Sequence, residues 1–222
     1  MNLFQLATRN FVNQDWATVL FVLALILIAA NRNVFSVRFN EFLKLAYTDK
    51  YSKIYKDTSN LLNWFTVSMF FIQLISYSFF ILLILSKYDI AKHTNYITFI
   101  QIITFLSVYL LSKILLEKIA GTTLGSESIV DQFNLYKINY RSFLALILLP
   151  ITMFLYYNYN VFEKYVFTIL IGFVVLYNVF SYFNLIKNYQ NLIVGRLFYF
   201  ILYLCTLEIA PYYFMYYWLT KK

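Results

Sequence analysis

Histidine and cysteine are nearly absent from this 222-residue chain, each occurring once, as His93 and Cys205. One thiol excludes an intrachain disulfide, and a lone imidazole in a short polar loop, without Cys, Asp or Glu at ligand spacing, reads as a solvated residue rather than a metal ligand. Charge is also scarce: only 13% of residues are charged, and ten acids face 18 basic residues. The sequence lacks paired carboxylates, a Ser or Cys with an accompanying base, and any cluster of His and acidic ligands, so hydrolysis and group transfer have no visible machinery. A Walker phosphate loop is missing as well. Neither a metal nor a cofactor is expected, and the reading is non-enzymatic.

What the chain has instead is apolar length. Hydrophobic residues make up 62% of it and the mean hydropathy is +0.66, above the roughly 45–50% apolar content of soluble domains. The apolar runs are continuous rather than alternating, which fits helices and not an outer-membrane barrel. The predicted architecture is all-α: one integral membrane domain over 1–222, a polytopic transmembrane bundle of about six spans at about 16–30, 61–85, 96–116, 142–158, 165–184 and 196–219. The 24 Phe and 22 Tyr could suggest stacking surfaces, and the net charge of +8 could suggest nucleic acid. Biased composition, interfacial tyrosines and positive-inside topology explain both without a nucleic-acid partner. The opening segment, MNLFQLATRNFVNQDW, lacks a basic n-region leading into an apolar core, so it is expected to be retained.

The segment after the first span is the most basic loop. Within it Phe35, Phe39, Phe42, Leu43 and Ala46 recur at helical spacing among Arg38, Glu41 and Lys44, which predicts an amphipathic stretch on a membrane face. The second span carries Gln73 with Ser76 one helical step away, a polar face that should turn into the bundle. From Glu117 to Arg141 the sequence reads as a long polar loop able to carry contacts, and Gly121 and Gly125 within it as a helix end and turn. Pro150 and Pro211 mark expected helix kinks.

Basic residues divide unevenly between the two sides of this topology. One side holds the six cations of the 31–60 loop, among them Arg32, Arg38 and Lys44, together with Lys113, Lys118, Lys137, Arg141, Lys187 and Arg196. The other holds Arg9, Lys87, Lys92, Lys164, Lys221 and Lys222. The richer side should face the cytoplasm and both termini should point outward, with Arg32, Arg38, Lys44, Lys113, Arg141 and Arg196 at the membrane surface. A re-entrant last segment broken at Pro211 would bring the terminal lysines back inside.

The sharpest sequence clue is Glu208, alone near the middle of the last apolar run. A carboxylate at that depth costs at least ~2.5–3.5 kcal/mol. Lys113 sits too far along the bilayer normal to pair with it. The expected state is a protonated acid in a polar cluster with Gln73, Asn178, Tyr203 and Thr206. Cys205 shares its helix face, but the apolar setting suppresses a reactive thiolate.

The run FYFILYLCTLEIAP, Phe198 to Pro211, resembles an uncharacterised family of polytopic membrane proteins from Bacteroidota, domain of unknown function family 4271. Asp15–Trp16 opening the first span, Arg38–Phe39 and Leu149–Pro150 extend the similarity; where the family often has Leu-Pro-Leu after Glu-Ile, this chain has Ala210, Pro211 and Tyr212. The resemblance implies a bacterial inner-membrane location and leaves the activity open. Two functions remain: an envelope component embedded in the lipid bilayer that docks a partner protein through its basic-side loops, and a carrier or flippase for a small or lipid-linked solute. Glu208 would fix packing or a partner helix in the first and lie with Gln73 in the pathway of the second.

Overall fold

The computed structural model describes residues 14–46 and 63–194, apart from 124, 126 and 160. Among them are six α-helices and no strand: α1 (Asp15–Val34), α2 (Ser36–Leu43), α3 (Trp64–Lys87), α4 (Tyr96–Thr123), α5 (Glu127–Tyr157) and α6 (Lys164–Val194), with a 3-10 turn at Lys44–Ala46 after α2. All but α2 are long and apolar enough to cross a membrane. The shortest, α1, has 20 residues, a rise of about 30 Å that matches a bilayer core. The sixth expected span, 196–219, lies outside the described residues.

Burial sorts these helices into a centre and a periphery. In α3 and in α5, 61% of the membrane-length window is buried, against 6% in α6. The central pair packs most closely, and small side chains explain how. The Ser76 hydroxyl donates to the Ala145 carbonyl at 2.9 Å, and the Ser142 hydroxyl donates to the Gln73 side-chain oxygen at 3.2 Å. Such residues let two backbones approach without large side chains between them. Gln73 and Ser76, expected to face the interior, are both buried. The start of α3 is fixed by Asn63, whose side-chain oxygen accepts from the Phe65 N–H at 3.2 Å, an N-cap.

Helices α1, α3, α4 and α5 meet at one end around stacked rings. Phe79 of α3 lies 4.1 Å from Phe21 of α1 and 4.6 Å from Phe99 of α4, centroid to centroid, with Tyr156 of α5 edge-on at 5.6 Å. At the opposite, basic end, α2 turns back onto the bundle rather than onto a membrane face. Its apolar stripe meets partners there: the Phe42 ring packs edge-on against Phe65 and Phe143 at 5.7 and 6.0 Å. Two helical turns present too little apolar surface to hold against lipid once these aromatic partners are within reach.

The expected polar loop from Glu117 to Arg141 is also corrected. Helix α4 runs on to Thr123, and α5 begins at Glu127. Only a tight turn separates them, with Gly125 at φ +62°, the left-handed conformation that glycine adopts without a steric penalty. As expected, Gly121 and Gly125 mark a helix end and a turn. The polar residues were mistaken for loop because they face a neighbouring helix. The fourth membrane-length segment accordingly starts at Val130 rather than Ser142. Pro150 lies inside α5 and lines a shallow apolar groove against α6.

Candidate functional site

Polar residues on α4 and α5 fall at helical spacing. Lys113 and Glu117 are four apart on α4, while Asp131, Asn134, Lys137 and Arg141 run at intervals of three and four along α5. Because the turn between the helices is so short, they form an antiparallel hairpin and the two stripes meet. The Lys137 ammonium lies 3.2 Å from a Glu117 carboxylate oxygen, and the side chains are 7% and 1% exposed. Lys113, Asp131 and Asn134 are buried in the same seam. Counting from the hairpin turn, Glu117 stands about 9 Å up its helix and Lys137 about 15 Å up the other. An ion pair at that depth costs several kcal/mol of desolvation per ion, recovered only through close mutual attraction and further hydrogen bonds.

The Asn134 side-chain amide N–H₂ is buried without a hydrogen-bond partner among the described residues. A buried amide left so is costly, which marks the seam as a place where a water or a ligand group would be held. On its α6 side the seam opens into a recess of about 10 Å³ lined by Lys137, Tyr140, Arg141, Tyr177, Asn178 and Tyr182, among others. That volume is about one water. The Tyr177 hydroxyl donates to the Tyr140 carbonyl at 3.5 Å, and Tyr136 stacks on Tyr140 at 4.4 Å, so the phenols are held in place by packing as well as by polar contact. Two cations, three phenols and an amide line the recess, and the Lys137, Tyr177 and Asn178 donors among them are already engaged by Glu117, the Tyr140 carbonyl and the Val174 carbonyl.

The residues singled out in the sequence are dispersed. Gln73 is tied to Ser142 between α3 and α5, whereas the Asn178 amide donates back to the Val174 carbonyl of its own helix at 2.7 Å and lines the recess. Glu208, Tyr203, Thr206, Pro211 and Arg196 lie outside the described residues, as does Cys205. Of the cations expected at the surface, Arg32 and Lys44 are exposed, Lys44 pairing with Glu41 at 2.7 Å. Arg141 is partly buried and lines the recess. Lys113 and Arg38 are buried instead. The Arg38 guanidinium donates to the Thr66 hydroxyl at 3.3 Å and lies 4.8 Å from the Phe65 ring centroid, a contact that shields its charge where α2 folds back.

His93 is not the solvated loop residue expected. It stacks flat on Tyr159 at 4.0 Å, its backbone N–H donates to the Ser86 hydroxyl at 3.1 Å, and that hydroxyl donates to the Tyr159 hydroxyl at 2.9 Å. Burial pushes the imidazole below its ordinary value, and the Lys87 ammonium acts in the same direction. Among the described residues no three His, Cys, Asp or Glu side chains converge as metal ligands would.

Sequence reasoning missed the Glu117–Lys137 pair. The available signal was the three-and-four spacing of Asp131, Asn134, Lys137 and Arg141 after a Gly-containing turn, which describes a helix face rather than a loop. No curated protein and no solved structure matches the chain significantly. The family Domain of unknown function (DUF4271) matches residues 17–219, nearly the whole length, and the chain belongs to that family.

Proposed function

We propose that the protein is a multipass carrier or flippase, and that it acts on a small or lipid-linked solute with an anionic group. The observation that supports this reading is the buried Glu117–Lys137 pair, set with Lys113, Asp131 and Asn134 inside segments otherwise apolar enough for lipid. Ionisable groups at such positions line substrate or ion pathways more often than they serve as packing, since interhelical polar contacts in lipid average only about 0.6 kcal/mol. Lys137, Arg141 and the tyrosines around the adjoining water-sized recess are the groups an entering anion would meet. Placement in a bacterial inner membrane, which the family resemblance implies, belongs to the same proposal, and so does an orientation with the basic end in the cytoplasm and the termini outside, for which the distribution of cations argues.

Vesicles provide the test. Reconstituted protein should speed the transbilayer movement of a fluorescent lipid phosphate, read by quenching of the outer leaflet. The exchange Glu117→Lys with Lys137→Glu keeps an ion pair but moves the cation off α5 and away from the recess, so movement should be lost while the thermal transition persists. Movement no faster than in protein-free vesicles, or unchanged in the exchange variant, defeats the reading.

A second reading, an envelope component that docks a partner protein, draws on the exposed cations Arg32, Lys44, Lys118 and Lys187 at the same end. It predicts a stoichiometric complex in mild detergent that is lost when these four become Glu.

A further inference from the structure

The turn between α3 and α4, residues 88–95, folds back onto the end of the bundle opposite the charged seam and is fastened there in two ways. Its first half is tied by backbone: the Ile90 and Ala91 N–H groups both donate to the Leu85 carbonyl, at 3.0 and 3.4 Å. The second half is held through His93. Its imidazole lies flat on the Tyr159 ring and edge-on to Tyr156 at 5.8 Å, and the Ser86 hydroxyl links the His93 N–H to the Tyr159 hydroxyl. Tyr159 follows α5, so these contacts join the α3–α4 turn to the α5–α6 turn.

The same ring carries a second group. The Lys87 ammonium stands 4.4 Å from the Tyr159 centroid and 5.4 Å from that of Phe167. A tyrosine face attracts a cation, but a proton on His93 would put two cations on one ring and charge a half-buried imidazole. Among the described residues no carboxylate pairs with His93: Asp15 of α1, Asp89 of its own turn and Glu163 ahead of α6 are the acids at this end, while Lys92 and Lys164 add charge of the same sign. Residues 1–13 contain no Asp or Glu. Burial first and Lys87 second hold the imidazole below its ordinary value. The contact is therefore intact above that ordinary value and is weakened as pH falls through the lower one.

We propose that His93 and Tyr159 form an acid-released clasp: on taking up a proton the imidazole leaves the Tyr159 ring and frees residues 92–95 while the helices stay packed. The Phe21, Phe79 and Phe99 rings at the same end carry no titratable group, which keeps the release local. Because the clasp sits at one end of the bundle, only the acidity of the side that end faces acts on it. It does not depend on the carrier reading.

Amide hydrogen exchange of the full chain in mild detergent, corrected for the intrinsic pH dependence of exchange, reads the release directly. Between about pH 8 and about pH 5, where an imidazole changes charge, exchange at residues 92–95 should rise several-fold while that of α3 and α5 stays level. His93→Gln should remove the rise. Lys87→Met leaves the imidazole in place and takes away the cation that shares its ring, so it should diminish the rise, an effect that a merely structural His93 would not show. No rise in the unaltered protein overturns the proposal, as does a rise that persists in His93→Gln or is undiminished in Lys87→Met. A rise that spreads equally to α3 and α5 would mean general loosening in acid and overturns it too.

Discussion

The two ends of the bundle are held by different forces, although the same helix, α5, serves both. At the far end Phe21, Phe79, Phe99 and Tyr156 interlock through ring faces and edges, an arrangement that depends on shape and changes little with salt or charge. At the basic end α5 meets α4 through a buried ion pair and a row of polar side chains. Shape-based packing weakens in proportion to the atoms removed. A buried charge pair behaves asymmetrically: deleting one member is severe and deleting both is mild. The contrast separates an end held by the shape of its rings from an end held by paired charge.

The largest expected effects test that contrast directly. Phe79→Ala, at a fully buried ring, should lower stability by about 3–5 kcal/mol, read from thermal unfolding in detergent, and no second substitution nearby should restore it. Lys137→Met should cost a similar ~3–5 kcal/mol, but adding Glu117→Gln should recover most of the loss. Should the double variant prove as unstable as the single one, the charged seam is held by packing and the distinction between the ends collapses. Smaller effects come from the middle of the bundle. Ser142→Ala removes the donor to Gln73 and should cost about 0.6 kcal/mol, at most ~1.7, placing the α3–α5 contact between the two ends in sensitivity.

The smallest effect concerns pH. His93 is held below its ordinary value near 6.5, so the unfolded chain takes up a proton at a higher pH than the folded one. The stability His93 contributes is complete above that ordinary value and declines as pH falls through the lower folded value. The melting temperature should therefore fall on acidification from neutral pH, and His93→Gln should flatten that part of the profile. An unaltered profile in the variant would assign the slope to other groups.

Much of the fold was legible because lipid-length apolar runs announce themselves: α1, α3, α4 and α6 coincide with stretches whose hydropathy alone marks them. The first half of α5 was not legible. Asp131, Asn134, Lys137 and Arg141 depress the local hydropathy, and a helix that hides its polar stripe against a neighbour looks like a loop to any average taken along the chain. The inward face of Gln73 was readable because an amide amid apolar residues has nowhere else to turn. The charged seam was not, since recognising it requires knowing that Glu117 and Lys137 are brought together across a three-residue turn. Arg38 shows the same limit: its burial depends on α2 folding back onto Phe65 and Thr66, a tertiary event that the amphipathic pattern does not encode. The cluster imagined around Glu208 falls outside the described residues, with only Gln73 and Asn178 inside them, and those two keep separate company.

The tight bend at Gly125 has a bearing on how the chain enters its bilayer. With so little slack between them, α4 and α5 are suited to insertion as a paired hairpin, in which Glu117 and Lys137 neutralise one another before either meets hydrocarbon. A nascent chain stopped after Thr123 would carry Glu117 toward lipid without Lys137, its ion-pair partner, and with Lys113 one turn away on the same helix. Such a fragment should be rejected by the insertion machinery or recovered at the water interface.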